Sequence, residues 1–321
     1  MLRGFFQIAL NTARENLREP IFFLTTVSAL VIIGVFPSLT LFVFREQIKL
    51  VVDSAMATGM VFGLVLAVLC ATHAVTREIE RGTAIAVLAK PVTRTAFILG
   101  KMAGICLVLL IFKALTAMAT LLAVRAATDQ FYFDQTAMLI FFGVLACGCV
   151  YGGIRNYIDQ ASFPMHAVLG ILLLLPVGLL VVRFLPPEAG KPPMPYDWQI
   201  VRAEVLTTYA VLAMGILATA LSTRLDLTVN MTICACVFVL GSMSDYLLGR
   251  QAGENLFAAV AYSLVPNWQL FWMADALAAD RTIPMAYLGL GAAYLMAMGS
   301  VFTLLALALF QDREVGLQNV R

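Results

Sequence analysis

Charge is scarce in this chain. Only 12% of its 321 residues are Asp, Glu, Lys or Arg, against about a quarter in an ordinary soluble domain. Histidine is scarcer still, with His73 and His166 alone. There is no H-E-x-x-H pair for a zincin-type metal and no G-x-S-x-G elbow for a serine nucleophile. No G-x-x-x-x-G-K-[ST] occurs either, since Gly100 and Lys101 are followed by Met102 and open an apolar run. The chain is therefore expected to carry no catalytic residue, no metal and no ATP site of its own. The six cysteines (Cys70, Cys106, Cys147, Cys149, Cys234 and Cys236) all fall inside apolar runs. That placement excludes a disulfide framework and suits small packing residues. The spans are expected to hold no carboxylate in their interior; Asp245, near one end of a run, is read as the closest. A proton- or sodium-coupled carrier usually needs such a group in mid-membrane. The net charge of +2 points to no polyanion, and no nucleic-acid partner is expected.

What the chain has is apolar length. Hydrophobic residues make up 61% of it and the mean hydropathy is +0.92. Runs of about 20 apolar residues recur, which is the length that crosses a bilayer as a helix. The expected fold is an all-α, polytopic helical bundle in the lipid bilayer, one domain over 1–321. About eight spans are predicted, at 21–44, 54–75, 95–124, 137–153, 163–184, 203–222, 227–248 and 286–310. Six spans plus a membrane-dipping hairpin over 137–184 is the alternative. The first apolar run is too long for a signal h-region, so no cleavable leader is expected.

Residues 1–19 place Leu2, Phe5, Phe6, Ala9, Ala13 and Leu17 at helical spacing, with Arg3, Asn11, Arg14, Glu15 and Arg18 on the other face. That pattern predicts an amphipathic helix in the headgroup layer, ended by Pro20. Residues 45–53 read as a polar external loop. The segment 185–202, with Pro186, Pro187, Pro192, Pro193 and Pro195, reads as a stiff extended external loop. Residues 249–283 are too polar to span and too apolar for a free loop. They predict short interfacial helices at 256–264 and 270–278, with Trp268 and Trp272 as anchors. Lys113 lies well inside the third run and must face protein or a cavity. It could line a path for an anionic substrate, pair with a carboxylate, or snorkel. With the N-terminus, 76–101, 154–162, 223–226 and the C-terminal tail assigned to the cytosol, Lys and Arg are more numerous inside than outside, as the positive-inside rule requires.

The stretch 76–101 organises the rest. It joins the second and third runs and carries Arg77, Arg81, Lys90, Arg94 and Lys101 against Glu78 and Glu80. Gly82 can end the descending helix, Thr83 can cap a short helix over 84–89, Pro91 stops it and Thr93 caps the next span. Ile85, Val87 and Leu88 would then offer an apolar face to a groove on a cytosolic partner. An ordinary basic connection between two spans has the same composition.

Glu80, Gly82, Thr83, Leu88, Pro91, Arg94, Gly100 and Lys101 resemble the loop after the second span in type-2 ABC exporter permeases, where E-x-G-T, a Leu, Pro-x-x-Arg and Gly-Lys recur. The stretch LVPNWQLFWMADAL before the last run is similar to permeases of the copper-site-maturation and gliding-motility subgroup. This resemblance implies a permease subunit of an ATP-driven exporter in the bacterial inner membrane, with both termini cytosolic. It implies two copies of the permease and two P-loop ATPase subunits, which hold the ATP and Mg. Docking falls to a coupling helix within 76–96 (Glu80, Gly82, Thr83, Ile85, Leu88, Pro91, Arg94). An elbow helix over 1–20 (Phe5, Phe6, Arg14) would touch the ATPase. The external segments could bind a periplasmic partner. The alternatives are a secondary carrier not powered by ATP, and a non-transporting scaffold that relays force to an extracytoplasmic partner.

Overall fold

The computed structural model describes residues 2–39, 47–77, 93–127, 134–185, 196–251, 253, 255–279 and 281–311. Among them no strand forms, and the chain is the all-α bundle expected. The helices are α1 Leu2–Arg18, α2 Pro20–Leu39, α3 Gln47–Ala71, α4 Arg94–Ala126, α5 Gln135–Asp159, α6 Phe163–Phe184, α7 Trp198–Ser222, α8 Leu227–Ser242, α9 Leu256–Leu264, α10 Ala274–Ala278 and α11 Met285–Gln311. A π-helical turn, Thr72–Thr76, continues α3. Seven of the described helices are long and apolar enough to cross a membrane. The seventh expected span, 227–248, is interrupted and is not one continuous α-helix. Its α-helix, α8, has 16 residues and rises about 24 Å, less than the roughly 30 Å of a hydrocarbon core. A turn at Met243 and a π turn at Asp245–Gly249 follow it.

The bundle is built around α3, α4 and α7, the most buried of the spans, while α11 and α5 are the most exposed. Small residues set the closest approaches, because two helix axes can near each other only where side chains are short. A Cβ on Gly63 would lie 2.7 Å from Val211 of α7, and one on Gly215 would lie 2.5 Å from Leu109 of α4. The helices α5 and α6 form a tight antiparallel hairpin. Gln160 turns it with a left-handed backbone, φ 54°, and Pro164 sits at the start of α6, where the missing N–H costs nothing. Its seam is Gly148 and Gly152 against Ala167 and Ile171. The 154–162 linker thus shrinks to three residues, and both arms are span-length helices rather than a shallow dip. A Cβ on Gly148 would meet the Ile171 backbone nitrogen at 2.8 Å. Gly148→Leu is expected to cost about 1–3 kcal/mol, read as a lower thermal midpoint in detergent.

Several boundaries move. Pro20 opens α2 instead of closing α1, with Glu19 alone between the two helices. The helix α3 begins at Gln47, so most of the expected 45–53 loop is helix, and Val51 and Val52 are buried. The α4–α5 turn brings Arg125 to 3.7 Å from Asp134, both buried, and Asp134 caps α5 by accepting from the Ala137 N–H at 3.0 Å. The helix α7 starts at Trp198, five residues before the predicted 203.

The helix predicted over the first residues forms as α1. It packs along the first turns of α4, and its buried face is Ala9, Thr12, Ala13, Asn16 and Leu17. Gly100 and Gly104 make room for it. A Cβ on Gly104 would lie 2.5 Å from the Ala9 carbonyl oxygen. Phe6 and Leu10 remain exposed, and Phe5 and Phe6 meet edge to face.

The segment before α11 folds as α9, a 3₁₀ turn at Trp268–Phe271 and α10. Trp268 is a correction to the interfacial anchor expected there. It is 2% exposed, donates from Nε1 to the Val237 carbonyl at 3.2 Å and packs on Gly241. Asp245 Oδ1 accepts from the Tyr262 hydroxyl and from Asn267 Nδ2 at 2.9 Å. The bond to the carboxylate holds the Tyr262 phenol above its ordinary value. Gln269 Nε2 donates to the Ser242 carbonyl at 2.7 Å. The Trp268 and Gln269 bonds satisfy backbone carbonyls where α8 ends.

Candidate functional site

Five helix ends are tied together on one side of the bundle, the side that carries Arg77 and Arg94. Thr76 Oγ1 donates to the Ser222 carbonyl at 2.9 Å and to that of Leu225 at 3.4 Å, which pins the end of α3 to the α7–α8 turn. Arg224 Nε in that turn donates to the Leu309 carbonyl of α11 at 2.7 Å. Phe310 of α11 stacks on Phe97 of α4, with ring centres 5.8 Å apart. Lys101 of α4 stands 3.8 Å from Glu15 of α1 and 5.8 Å from the Phe97 ring centre. His73 Nε2 lies 2.6 Å from Glu19, between α1 and α2. His73 is therefore a tie between the end of α3 and the α1–α2 junction. A displacement of the segment between Arg77 and Thr93 would pull on α1, α3, α4, α7 and α11 together.

Thr93 caps α4, its Oγ1 accepting from the Ala96 N–H at 3.2 Å, as its position predicted. Arg94 is exposed at the first position of that helix. Glu80, Gly82, Thr83, Ile85, Leu88 and Pro91 lie outside the described residues. Arg14 is exposed on α1, on the side away from the buried Ala9–Ala13 face.

Against the end of α3 lies a cavity of about 320 Å³. Its walls come from the α1–α2 junction (Asn16, Glu19, Ile21, Phe22), from α3 and its π turn (Leu66, Leu69, Cys70, Thr72, His73, Thr76, Arg77), and from the start of α8 (Asp226, Leu227). Thr72 Oγ1 and His73 Nδ1 are buried there without a hydrogen-bond partner among the described residues. Single π turns within α-helices often mark functional positions.

A second cluster sits deep in the bundle. Lys113 Nζ donates to Glu204 Oε2 at 2.7 Å, and the two side chains are 1% and 2% exposed. Thr120 Oγ1 donates to Glu204 Oε1 at 2.9 Å, and Thr207 Oγ1 to Oε2 at 3.2 Å. Gly59 of α3 leaves space for the ammonium; a Cβ there would lie 3.0 Å from Nζ. The carboxylate is thus held by three donors, as a buried charge must be. Of the alternatives open for Lys113, the structure realises pairing with a carboxylate. The expectation that the spans contain no carboxylate is overturned by Glu204. Starting α7 at Trp198 places Glu204 about 9 Å inside the helix instead of at its rim. The signal was an i, i+3 pair, Glu204 and Thr207, beside a lone intramembrane lysine.

Residues 35–315 match the family described as ABC-2 family transporter protein. The chain belongs to that family. No curated protein matches it. Membership makes the chain a multi-pass membrane protein and the permease component of an ABC transporter, which works with an ATPase subunit.

Proposed function

We propose that the chain is the membrane-spanning subunit of an ATP-driven exporter in the bacterial inner membrane, with both termini cytosolic. The observation that supports this most is the set of ties at the end of the bundle carrying Arg77 and Arg94, taken with the family match over 35–315. Two copies pair, and each docks one P-loop ATPase through Glu80, Gly82, Thr83, Ile85, Leu88, Pro91 and Arg94. The elbow helix adds Phe5, Phe6 and Arg14 to that contact. ATP and Mg stay on the partner, and this chain contributes no catalytic group. Closure of the ATPases displaces the coupling segment. Because α1, α3, α4, α7 and α11 are tied there, the spans tilt as a set and a path opens between the two copies. The stretch before α11 supports placing the chain with permeases like those of the copper-site-maturation and gliding-motility subgroup.

The test is ATPase stimulation by the purified permease. A P-loop ATPase should co-purify in gentle detergent. The double variant Glu80→Lys, Arg94→Glu should weaken its binding roughly tenfold or more, as loss of interface hot spots does, while the thermal midpoint stays unchanged. Normal stimulation by the double variant would show that docking lies elsewhere.

A further inference from the structure

The cavity at the end of α3 is polar on one side and apolar on the other. Ile21 and Leu227 line it and are themselves 45% and 41% exposed, so it opens sideways, toward the layer where acyl chains begin. Phe22 and Leu66 continue the apolar wall inward. The polar side holds two carboxylates, Glu19 and Asp226, with the Arg77 guanidinium and the His73 ring. Asp226 spends Oδ1 on capping the Val229 N–H. Arg77 forms no ion pair within the described residues. Thr72 Oγ1 and His73 Nδ1 add buried hydrogen-bonding capacity that no described group uses.

Each ligand class meets this wall differently. A singly anionic headgroup would satisfy Arg77 but stand against two carboxylates. A neutral polyol would leave the charges without counterparts. A zwitterion matches both signs, with a phosphate toward Arg77 and an ammonium toward Glu19 and Asp226, His73 already meeting Glu19 through Nε2. The volume, about 320 Å³, lies at the lower end for small-ligand pockets. It suits a headgroup with its glycerol, not whole acyl chains.

We propose that this cavity binds the headgroup of a zwitterionic phospholipid bearing a phosphate and a primary ammonium, its acyl chains leaving past Ile21 and Leu227. The lipid joins three elements that meet at the cavity: the α1–α2 junction, the π turn and the start of α8. It then acts as a removable staple on the end of the bundle that must move. The leaflet follows from the orientation proposed above. The docking of an ATPase plays no part in the argument.

The test is native mass spectrometry of the full chain. The protein is equilibrated in mixed micelles with equal phosphatidylethanolamine, phosphatidylglycerol and phosphatidylcholine. Phosphatidylethanolamine should be retained roughly tenfold over the other two, the value of one charge-assisted hydrogen bond. Glu19→Gln should erase that preference. Leu227→Trp, which keeps every charge and fills the mouth, should reduce all lipid retention. Equal retention of phosphatidylglycerol, or an unchanged adduct in both variants, would overturn the site. Excess soluble glycerophosphoethanolamine should fail to displace the lipid; displacement would make the ligand a soluble headgroup and overturn the lipid assignment. Normal ATPase stimulation by the Glu80→Lys, Arg94→Glu variant, with lipid retention intact, would count against the docking proposal alone.

Discussion

Glu204→Gln is expected to destabilise the folded bundle by about 3–5 kcal/mol, the cost of removing one partner from a buried ion pair. The Lys113 ammonium would remain at 1% exposure with no other carboxylate within hydrogen-bond reach among the described residues. It has nowhere to go. Gly59 approaches Nζ from α3, and snorkelling needs a route to an interface. Lys113→Met should cost a similar amount, because it strands Glu204 with hydroxyl donors alone, Thr120 and Thr207. The double variant Lys113→Met, Glu204→Leu removes both charges. It should recover most of the loss, since well-packed apolar replacements of buried pairs are often neutral or stabilising. Thermal unfolding followed by tryptophan fluorescence in detergent reads all three. Additive losses in the double variant would mean that the two charges do not depend on each other. A pair that proves replaceable for stability would leave its specificity as the reason for its presence: it fixes the register of α4 against α7, where apolar surfaces alone allow sliding.

That pair also shows where reading the chain runs out. The presence of spans was legible because a 20-residue apolar run has few other uses. The hairpin of α5 and α6, the cap at Thr93 and the breaks around Pro266 were legible for local reasons, since turn and capping chemistry acts within a few residues. Glu204 was not, because a carboxylate near the edge of an apolar run looks like a boundary. Only knowledge of the partner lysine, 91 residues away, makes it a core residue. Trp268 misled in the same way, as an aromatic beside a polar break suggests the interface. Its burial depends on Gly241 of α8 leaving a slot for it. The break at the end of α8 is likewise a tertiary fact, with Gln269 satisfying the Ser242 carbonyl and Asn267 holding the Asp245 side chain beyond it. For the candidate site, the chain indicated that Thr93 caps α4. The ties through Thr76, Arg224 and His73 needed folded coordinates, because each joins segments far apart in sequence.

Gly104→Leu should release α1 from α4. The face that α1 buries there is narrow, and two glycines one helical turn apart, Gly100 and Gly104, let the helices close. The two differ in what stands opposite. A Cβ on Gly100 would meet the Ile8 side chain first, at 2.8 Å, and that chain can rotate; at Gly104 it meets the Ala9 carbonyl oxygen at 2.5 Å and Thr12 Cβ at 2.7 Å. A carbonyl oxygen moves only if its helix moves. Overpacking costs about 1–3 kcal/mol in a close-packed interior. Because α1 is a terminal helix, local opening is the cheapest response. Amide exchange over residues 5–18 should therefore quicken roughly tenfold to a hundredfold, with the α5–α6 hairpin unchanged. Gly100→Ala should produce a much smaller change. If α1 exchanged at the original rate in Gly104→Leu, the α1–α4 contact would have to be more compliant than its backbone-to-backbone approach allows. The functional consequence follows from Lys101 and Glu15, which bridge the same contact. With α1 loose, the Glu19–His73 tie loses its fixed end. In the exporter proposed here, ATP hydrolysis would then continue on a docked ATPase while the spans received less of its motion.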